Sequence, residues 1–156
     1  MRIDLIAVGR LGRSVEQALA ADYLGRATAA GRSLGLGPCE LVEVEPRGGS
    51  GMVREAEAIL AKVPPGAAII ACDERGQALT SRAFAQRIEK LRDAGTPRLA
   101  LVIGGADGLD QSVRDRAAAL VAFGPWTWPH ALARVMAAEQ IYRAATILGG
   151  SPYHRD

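Results

Sequence analysis

The stretch Arg98-Leu99-Ala100-Leu101-Val102-Ile103-Gly104-Gly105-Ala106-Asp107-Gly108 decides the fold. Leu99–Ile103 is an unbroken apolar run with no polar face, so a strand here must be covered on both sides. The run then breaks into a Gly-Gly-x-x-Gly loop, which stops the strand and does not continue as helix. Working outward, the same plan recurs. Ile3–Val8, Glu40–Val44, Ala67–Cys72 and Leu120–Phe123 are short β-rich runs. Helical patterns separate them. One begins near Ser14, where Ser14 and Gln17 have capping-box spacing. A second covers Met52–Val63 and is stopped by Pro64-Pro65-Gly66. Ser81–Ala94 follows, with Gly95 as its C-terminal cap. A short helix near Asp110–Ala118 and a long one over His130–Leu148, ended by Gly149-Gly150, complete the set. Arg47-Gly48-Gly49-Ser50-Gly51 reads as a flexible loop. Strands alternating with helices imply βαβ units, hence an α/β fold with a parallel sheet and helices on both faces. The general rule for such connections favours an unknotted, doubly wound arrangement.

Length and composition fit one such domain over residues 1–156, with 49% hydrophobic and 23% charged residues. The apolar runs are strand-length, too short to span a membrane. Asp4 interrupts the first of them, against a secretory leader, so a cytoplasmic protein is expected. Cys39 and Cys72 stand alone, without CxxC spacing or a nearby histidine, which predicts free thiols and neither a disulfide nor a metal centre. Net charge is +2, and of 19 basic residues only Lys62 and Lys90 are lysines. Arginine is the better bidentate phosphate ligand, but an Arg- and Ala-rich chain is also what a GC-rich genome produces. Charge alone therefore does not identify a nucleic-acid binder.

In open parallel sheets ligands bind beyond the carboxyl ends of the strands. Three such ends are chemically unusual here: Cys72-Asp73-Glu74-Arg75-Gly76, Gly104–Gly108, and Phe123-Gly124-Pro125-Trp126-Thr127-Trp128-Pro129-His130. Each glycine by itself serves a tight turn. Three glycine-bearing ends together predict an adenosine-sized pocket lined by main-chain groups. The sequence has neither the G-x-G-x-x-G dinucleotide fingerprint nor a GK[ST] phosphate loop, and Gly9-Arg10-Leu11-Gly12 is only a turn signal.

The loop Ile103-Gly104-Gly105…Gly108-Leu109, the segment Thr127–Arg134 and the terminus Pro152-Tyr153-His154-Arg155 together carry a resemblance. So do the opening Ile6-Ala7-Val8-Gly9 and the Leu41–Glu45 strand. With them the chain resembles, over essentially its whole length, the bacterial 23S rRNA pseudouridine-N3 methyltransferases of the RlmH family, in the SPOUT trefoil-knot class. The resemblance implies a C-terminal half threaded into a knot, S-adenosylmethionine as methyl donor, and a homodimer acting on 23S rRNA within the ribosome. It places cofactor contacts at Cys72, Gly104, Gly105 and the Gly124, Pro125, Trp126, Thr127, Trp128, Pro129 loop. Two positions depart from the family pattern: Cys72 stands where an aliphatic residue is expected, and the Arg47–Gly51 loop is less basic than in many relatives.

Chemistry fits roles to the C-terminal residues. Methylating a ring nitrogen that carries a proton requires that proton to leave. Tyr153 can stack on a base, His154 can accept or orient a proton near neutral pH, and Arg155 can hold a phosphate. These three form the expected catalytic and substrate-facing group, although polar tails are commonly disordered. His130 and Arg134, one helical turn apart, are expected to face the same cleft as further substrate contacts, although His130 equally suits a local turn. Glu139 and Arg143 have the spacing of a helix ion pair, and Trp126 and Trp128 suit core or dimer packing as well as adenine stacking. Two alternatives stay open: a knot-class methyltransferase acting on tRNA or another rRNA base, and a non-catalytic, ribosome-associated nucleotide-binding module.

Overall fold

A computed structural model of the protein describes residues 1–49 and 51–155. Ser50, in the expected flexible loop, and Asp156, at the end of the tail, lie outside the described residues. The chain runs β1 (Arg2–Val8), α1 (Val15–Gly31), a 3₁₀ turn (Arg32–Leu34), β2 (Cys39–Val44), α2 (Met52–Leu60), β3 (Ala68–Ala78), α3 (Ser81–Asp93), β4 (Arg98–Ile103), α4 (Gln111–Arg116), β5 (Ala119–Ala122) and α5 (His130–Leu148). The strands form one sheet in the order β2-β1-β4-β3-β5, with every neighbouring pair parallel.

Alternation along the strands divides the interior in two. Leu5, Ile70 and Leu101 point to the face covered by α1, α3 and α5, where they meet Leu24, Ile88 and Ile141. Ile6, Ala71 and Val102 point the other way, onto Ile59 of α2 and Val113 of α4. Each fully buried aliphatic contributes roughly 1.5–3 kcal/mol. The core thereby fixes the central strands, and with them the positions of the loops that leave their carboxyl ends. Asp4 on β1 is buried and held by Arg2 Nε at 3.0 Å and Arg98 Nη1 at 3.3 Å, which is how an acid is accommodated inside that apolar strand.

Helix boundaries follow local chemistry. Ser14 caps α1, its Oγ accepting from the Gln17 N–H at 3.1 Å. The reciprocal half of the capping box is not made, because the buried Gln17 Oε1 has no partner among the described residues. α2 ends at Leu60, short of the expected Val63. The chain tightens there through Lys62 N–H to Ile59 C=O and Val63 N–H to Leu60 C=O before Pro64, because a residue preceding proline avoids the helical region. Gly95, at φ +78°, closes α3 as expected, with Thr96 N–H reaching back to Leu91 C=O.

β3 departs most from expectation. It does not end at Cys72 but continues to Ala78, with Cys72 and Gln77 both opposite Val121 and residues 73–76 forming a bulge. Gly76 makes this possible, since a Cβ there would lie 2.5 Å from the main chain of Val121. The polar Asp73-Glu74-Arg75 sequence reads as loop, yet the chain returns to pair with the edge strand β5. No helix among the described residues is long and apolar enough to cross a membrane.

Candidate active site

Because every strand is parallel, Cys72 on β3, Ile103 at the end of β4 and Ala122 at the end of β5 come to the same edge of the sheet. A cleft of about 480 Å³ opens there, lined by residues 72–75, Ile103, residues 121–128 and Ala133. Its volume suits a small-molecule ligand. An adjoining apolar groove of about 420 Å³ lies over α1, α3 and α5, with Leu19, Tyr23, Phe84 and Met136 in its walls.

One wall of the cleft is anchored by Asp73. Its carboxylate accepts from Arg114 Nε of α4 at 2.8 Å and from the Arg75 N–H at 2.9 Å. Burial pushes this carboxyl up, but the hydrogen bonds from Arg114 and Arg75 outweigh it and hold it below the usual range. Cys72 presents a thiol that burial pushes up to about 12, a neutral wall where an aliphatic side chain would serve. The opposite wall is the loop before α5. Trp128 donates its indole N–H to the Phe123 C=O at 3.1 Å, fixing the loop, and Trp126 stands 74% exposed with its ring 5.9 Å from that of Trp128.

Behind Ile103 the Gly104–Gly108 loop folds on itself, Gly108 N–H donating to Gly105 C=O at 3.2 Å. A Cβ on Gly104 would lie 2.6 Å from the Gly108 carbonyl oxygen, and one on Gly105 2.6 Å from Glu55 Oε2. A side chain on Gly104 would run into main chain, whereas one on Gly105 would have to displace the Glu55 carboxylate. Glu55, in the first turn of α2, is only 8% exposed, and its buried Oε2 has no partner among the described residues.

Of the positions expected from sequence, Cys72, Gly124, Pro125, Trp126, Thr127 and Trp128 meet in this one cleft. Gly104 and Gly105 directly follow its Ile103 wall, and Pro129 is the N-cap of α5 beside it. His130, exposed, opens that helix. Neither His130 nor Arg134 is among the residues that line the cleft, and Arg134 leaves the surface altogether. It is 1% exposed and turns inward, where Nη1 meets Glu43 Oε1 at 3.0 Å and Nη2 donates to the Val8 C=O. Glu43 also accepts the Leu11 N–H at 2.9 Å, so Arg134 ties the start of α5 to the ends of β1 and β2. Position 134 stands about 40° round the helix from His130, and that offset carries its side chain to the buried side.

Tyr153, His154 and Arg155 do not line the cleft of their own chain. Tyr153 packs on α5, its ring 4.7 Å from Tyr142 with the Arg143 guanidinium 4.8 Å above it, and its hydroxyl donates to Glu139 at 3.1 Å. Arg143 Nη1 lies 3.3 Å from His154 Nδ1, and Arg143 Nε donates to Glu139 at 2.9 Å, the helix ion pair expected from spacing. Burial, followed by hydrogen bonding with Tyr23 and Glu139, pushes the Tyr153 phenol up to about 12. The tail is thus held against the helix. Arg155 is exposed. Among the described residues no group of three or more His, Cys, Asp or Glu is placed to hold a metal ion.

Sequence reasoning missed Glu43 and Glu55. The signal for Glu55 was present, since Glu55, Ala56 and Ile59 form the buried stripe of α2 and an acid on such a stripe calls for a partner.

The molecule is a parallel-sheet α/β protein whose cleft lies beyond the carboxyl ends of its strands, where such folds place their ligand sites. Comparison with known proteins makes this specific: the chain belongs to the predicted SPOUT methyltransferase family, whose model matches residues 1–154. It is 59% identical to the "Ribosomal RNA large subunit methyltransferase H" of Caulobacter sp. (strain K31) and 60% identical to that of Phenylobacterium zucineum (strain HLK1). Both alignments span 156 residues and all of each chain. Among solved structures the fold is similar to that of a probable methyltransferase from Bordetella pertussis Tohama I. That match has a TM-score of 0.53 at 20% identity and covers 92% of this chain and 96% of the other.

Proposed function

We propose that this protein transfers a methyl group from S-adenosylmethionine to N3 of a pseudouridine in 23S rRNA on the ribosome, in the cytoplasm, as a homodimer of single-domain chains. The observation that carries the reading is the cleft formed by Cys72 and Gly124–Trp128 against the side-chain-free Gly104–Gly105 loop, in a chain so similar over its full length to large-subunit rRNA methyltransferases. With the family goes the threaded, trefoil-knotted arrangement of the C-terminal half. Pairing of β5 on both sides of the β3 bulge fits that reading.

The residues fit the donor. The cleft has the volume for an adenosyl group, an exposed indole at its rim and backbone lacking side chains behind it. Cys72, Gly104, Gly105 and Gly124–Pro129 would hold it, mainly through main-chain groups, with Trp126 and Trp128 offering faces for adenine. The sulfonium supplies an already activated methyl group, so the protein's remaining tasks are to orient the acceptor and take its proton. We assign these to Tyr153 as a stacking platform, His154 as the group that accepts or orients the N3 proton, and Arg155 as a phosphate ligand, with His130 at the cleft mouth. The tail lies along α5 and away from the cleft of its own chain, so on this reading a second copy brings it to the site. The adjoining groove with Leu19, Tyr23 and Met136, and the exposed Val15 and Leu132, offer an apolar face for that copy.

The test is incubation with radiolabelled S-adenosylmethionine and ribosomes from a strain lacking the modification, followed by nucleoside analysis, with tRNA in a parallel arm. Label in N3-methylpseudouridine of 23S rRNA is expected. Folded protein that binds the donor yet labels only tRNA, or nothing, overturns the assignment.

A further inference from the structure

The C-terminal tail is anchored through one guanidinium, and the geometry of that anchor bears on what His154 can do. Arg143 on α5 directs Nε and Nη2 to Glu139 Oε1, the first at 2.9 Å, while its Cζ stands 4.8 Å from the centroid of the Tyr153 ring. That leaves Nη1, which lies 3.3 Å from His154 Nδ1. Glu139 is itself held in place. Its Oε1 takes the Tyr153 hydroxyl at 3.1 Å and its Oε2 the Gln140 side-chain amide at 2.8 Å. Gln140 in turn accepts from Ser81 of α3 at 2.9 Å. Hydrogen bonding to Glu139 raises the pKa of Arg143, so the guanidinium keeps its charge. Glu139 and Gln140 also wall the apolar groove, which shares Cys72 and residues 121–124 with the cleft. The cluster that orients the tail therefore borders the strand-end region.

A guanidinium has N–H donors and no acceptor. The imidazole nitrogen it meets must offer a lone pair, so Nδ1 accepts and the proton of the neutral ring sits on Nε2. We propose that Arg143 is a positioning residue: by donating to Nδ1 it presents His154 to the acceptor base as an Nε2–H hydrogen-bond donor, not as the base that takes the N3 proton. The inference rests on the methyltransferase reading above and narrows the part of His154 within it. In that reaction the N3–H bond breaks and its proton passes to solvent water, while negative charge spreads from N3 onto the flanking carbonyl oxygens. The N3 lone pair then forms the new bond to the methyl carbon as the S–CH₃ bond breaks, leaving the neutral thioether. A donor aimed at one of those oxygens stabilises the charge as it develops. With Nδ1 engaged by Arg143 and Nε2 protonated, the ring has such a donor and no lone pair left for the N3 proton.

Two measurements test this. The first is long-range proton–nitrogen NMR of protein carrying isotope-labelled histidine, at about pH 8.5, where an ordinary imidazole is neutral. His130 and His154 are the two histidines, so a His130→Gln variant assigns the signals. The expected spectrum has the His154 proton on Nε2 alone. Arg143→Lys, which still donates, keeps it there, and Arg143→Met admits the Nδ1–H form. The second is methyl transfer to unmodified ribosomes. His154→Ala is expected to fall about a hundredfold, whereas His154→Gln, which supplies an amide N–H but no basic nitrogen, falls by less than about tenfold. A wild-type proton on Nδ1, or a tautomer that Arg143→Met leaves unchanged, overturns the proposal. So does a His154→Gln enzyme as slow as His154→Ala, because that makes His154 the base, or a His154→Ala enzyme as fast as wild type. A wild type that labels no rRNA defeats the methyltransferase reading itself, a result distinct from all of these.

Discussion

Replacing Arg134 by methionine separates two accounts of that residue. The sequence pairs it with His130 as a substrate contact, whereas the structure buries it to 1% exposure between Glu43 and the Val8 carbonyl. Burial lowers its pKa, opposed by the attraction of Glu43, so the guanidinium is held inside at an electrostatic cost that its partners offset. Methionine retains most of the apolar stem and removes the charge. Breaking a buried pair from one side costs about 3–5 kcal/mol. Glu43 keeps the Leu11 N–H and is 21% exposed at its side chain, which moderates the loss to about 2–4 kcal/mol. For a chain of this size that lowers the melting temperature by roughly 4–16 °C. Thermal melts of Arg134→Met, Glu43→Gln and the double variant form a cycle, and a coupling above about 1 kcal/mol is expected. If Arg134→Met melts within 2 °C of wild type but no longer methylates ribosomes, the guanidinium serves substrate and the structural assignment is wrong.

Three further outcomes follow from the same geometry. Asp73→Asn removes the charge that anchors the bulge to Arg114 and costs about 1–2 kcal/mol at pH 7. The wild-type carboxyl is held below its unfolded value, so its contribution is present above about pH 4 and disappears as pH falls through the folded value. Denaturant melts at pH 7 and pH 3 therefore show the variant's deficit shrinking with acid, and a deficit equal at both would dismiss the charge. Burial raises the thiols of Cys72 and Cys39 to about 12 and about 11. Both remain protonated at pH 8, so iodoacetamide labelling read by mass spectrometry should be much slower in native than in unfolded protein, and rapid native labelling contradicts this. Deleting Pro152 onward leaves donor binding by calorimetry within about twofold but abolishes methyl transfer to ribosomes. A truncated protein that stays active removes the tail from the chemistry.

The parallel sheet was legible because two-sided burial writes itself as unbroken apolar runs, and Leu99–Ile103 is the plainest of them. The cleft was legible for a related reason. Glycines at neighbouring strand ends leave main chain uncovered: Gly124 lines the cavity, and Gly104 and Gly105 directly follow its Ile103 wall. The extension of β3 was hidden because Asp73-Glu74-Arg75 has loop chemistry, and pairing of Gln77 and Ala78 with β5 depends on a partner more than forty residues on. Local sequence does not record such pairing.

Polar residues that face inward were the other blind spot, and they are where position and function meet. In the sequence Arg134 reads as a substrate contact and Asp73 as part of a strand-end loop, while Glu43 and Glu55 carry no local signal of burial. Three of them are matched by a counter-ion, and each match connects the strand-end region to something rigid: α5 to β1 and β2, the β3 bulge to α4. Glu55 has the same burial without the match. The matched inward charges thus brace the strand ends that frame the cleft, whereas Glu55 Oε2 stands against Gly105 with no donor among the described residues.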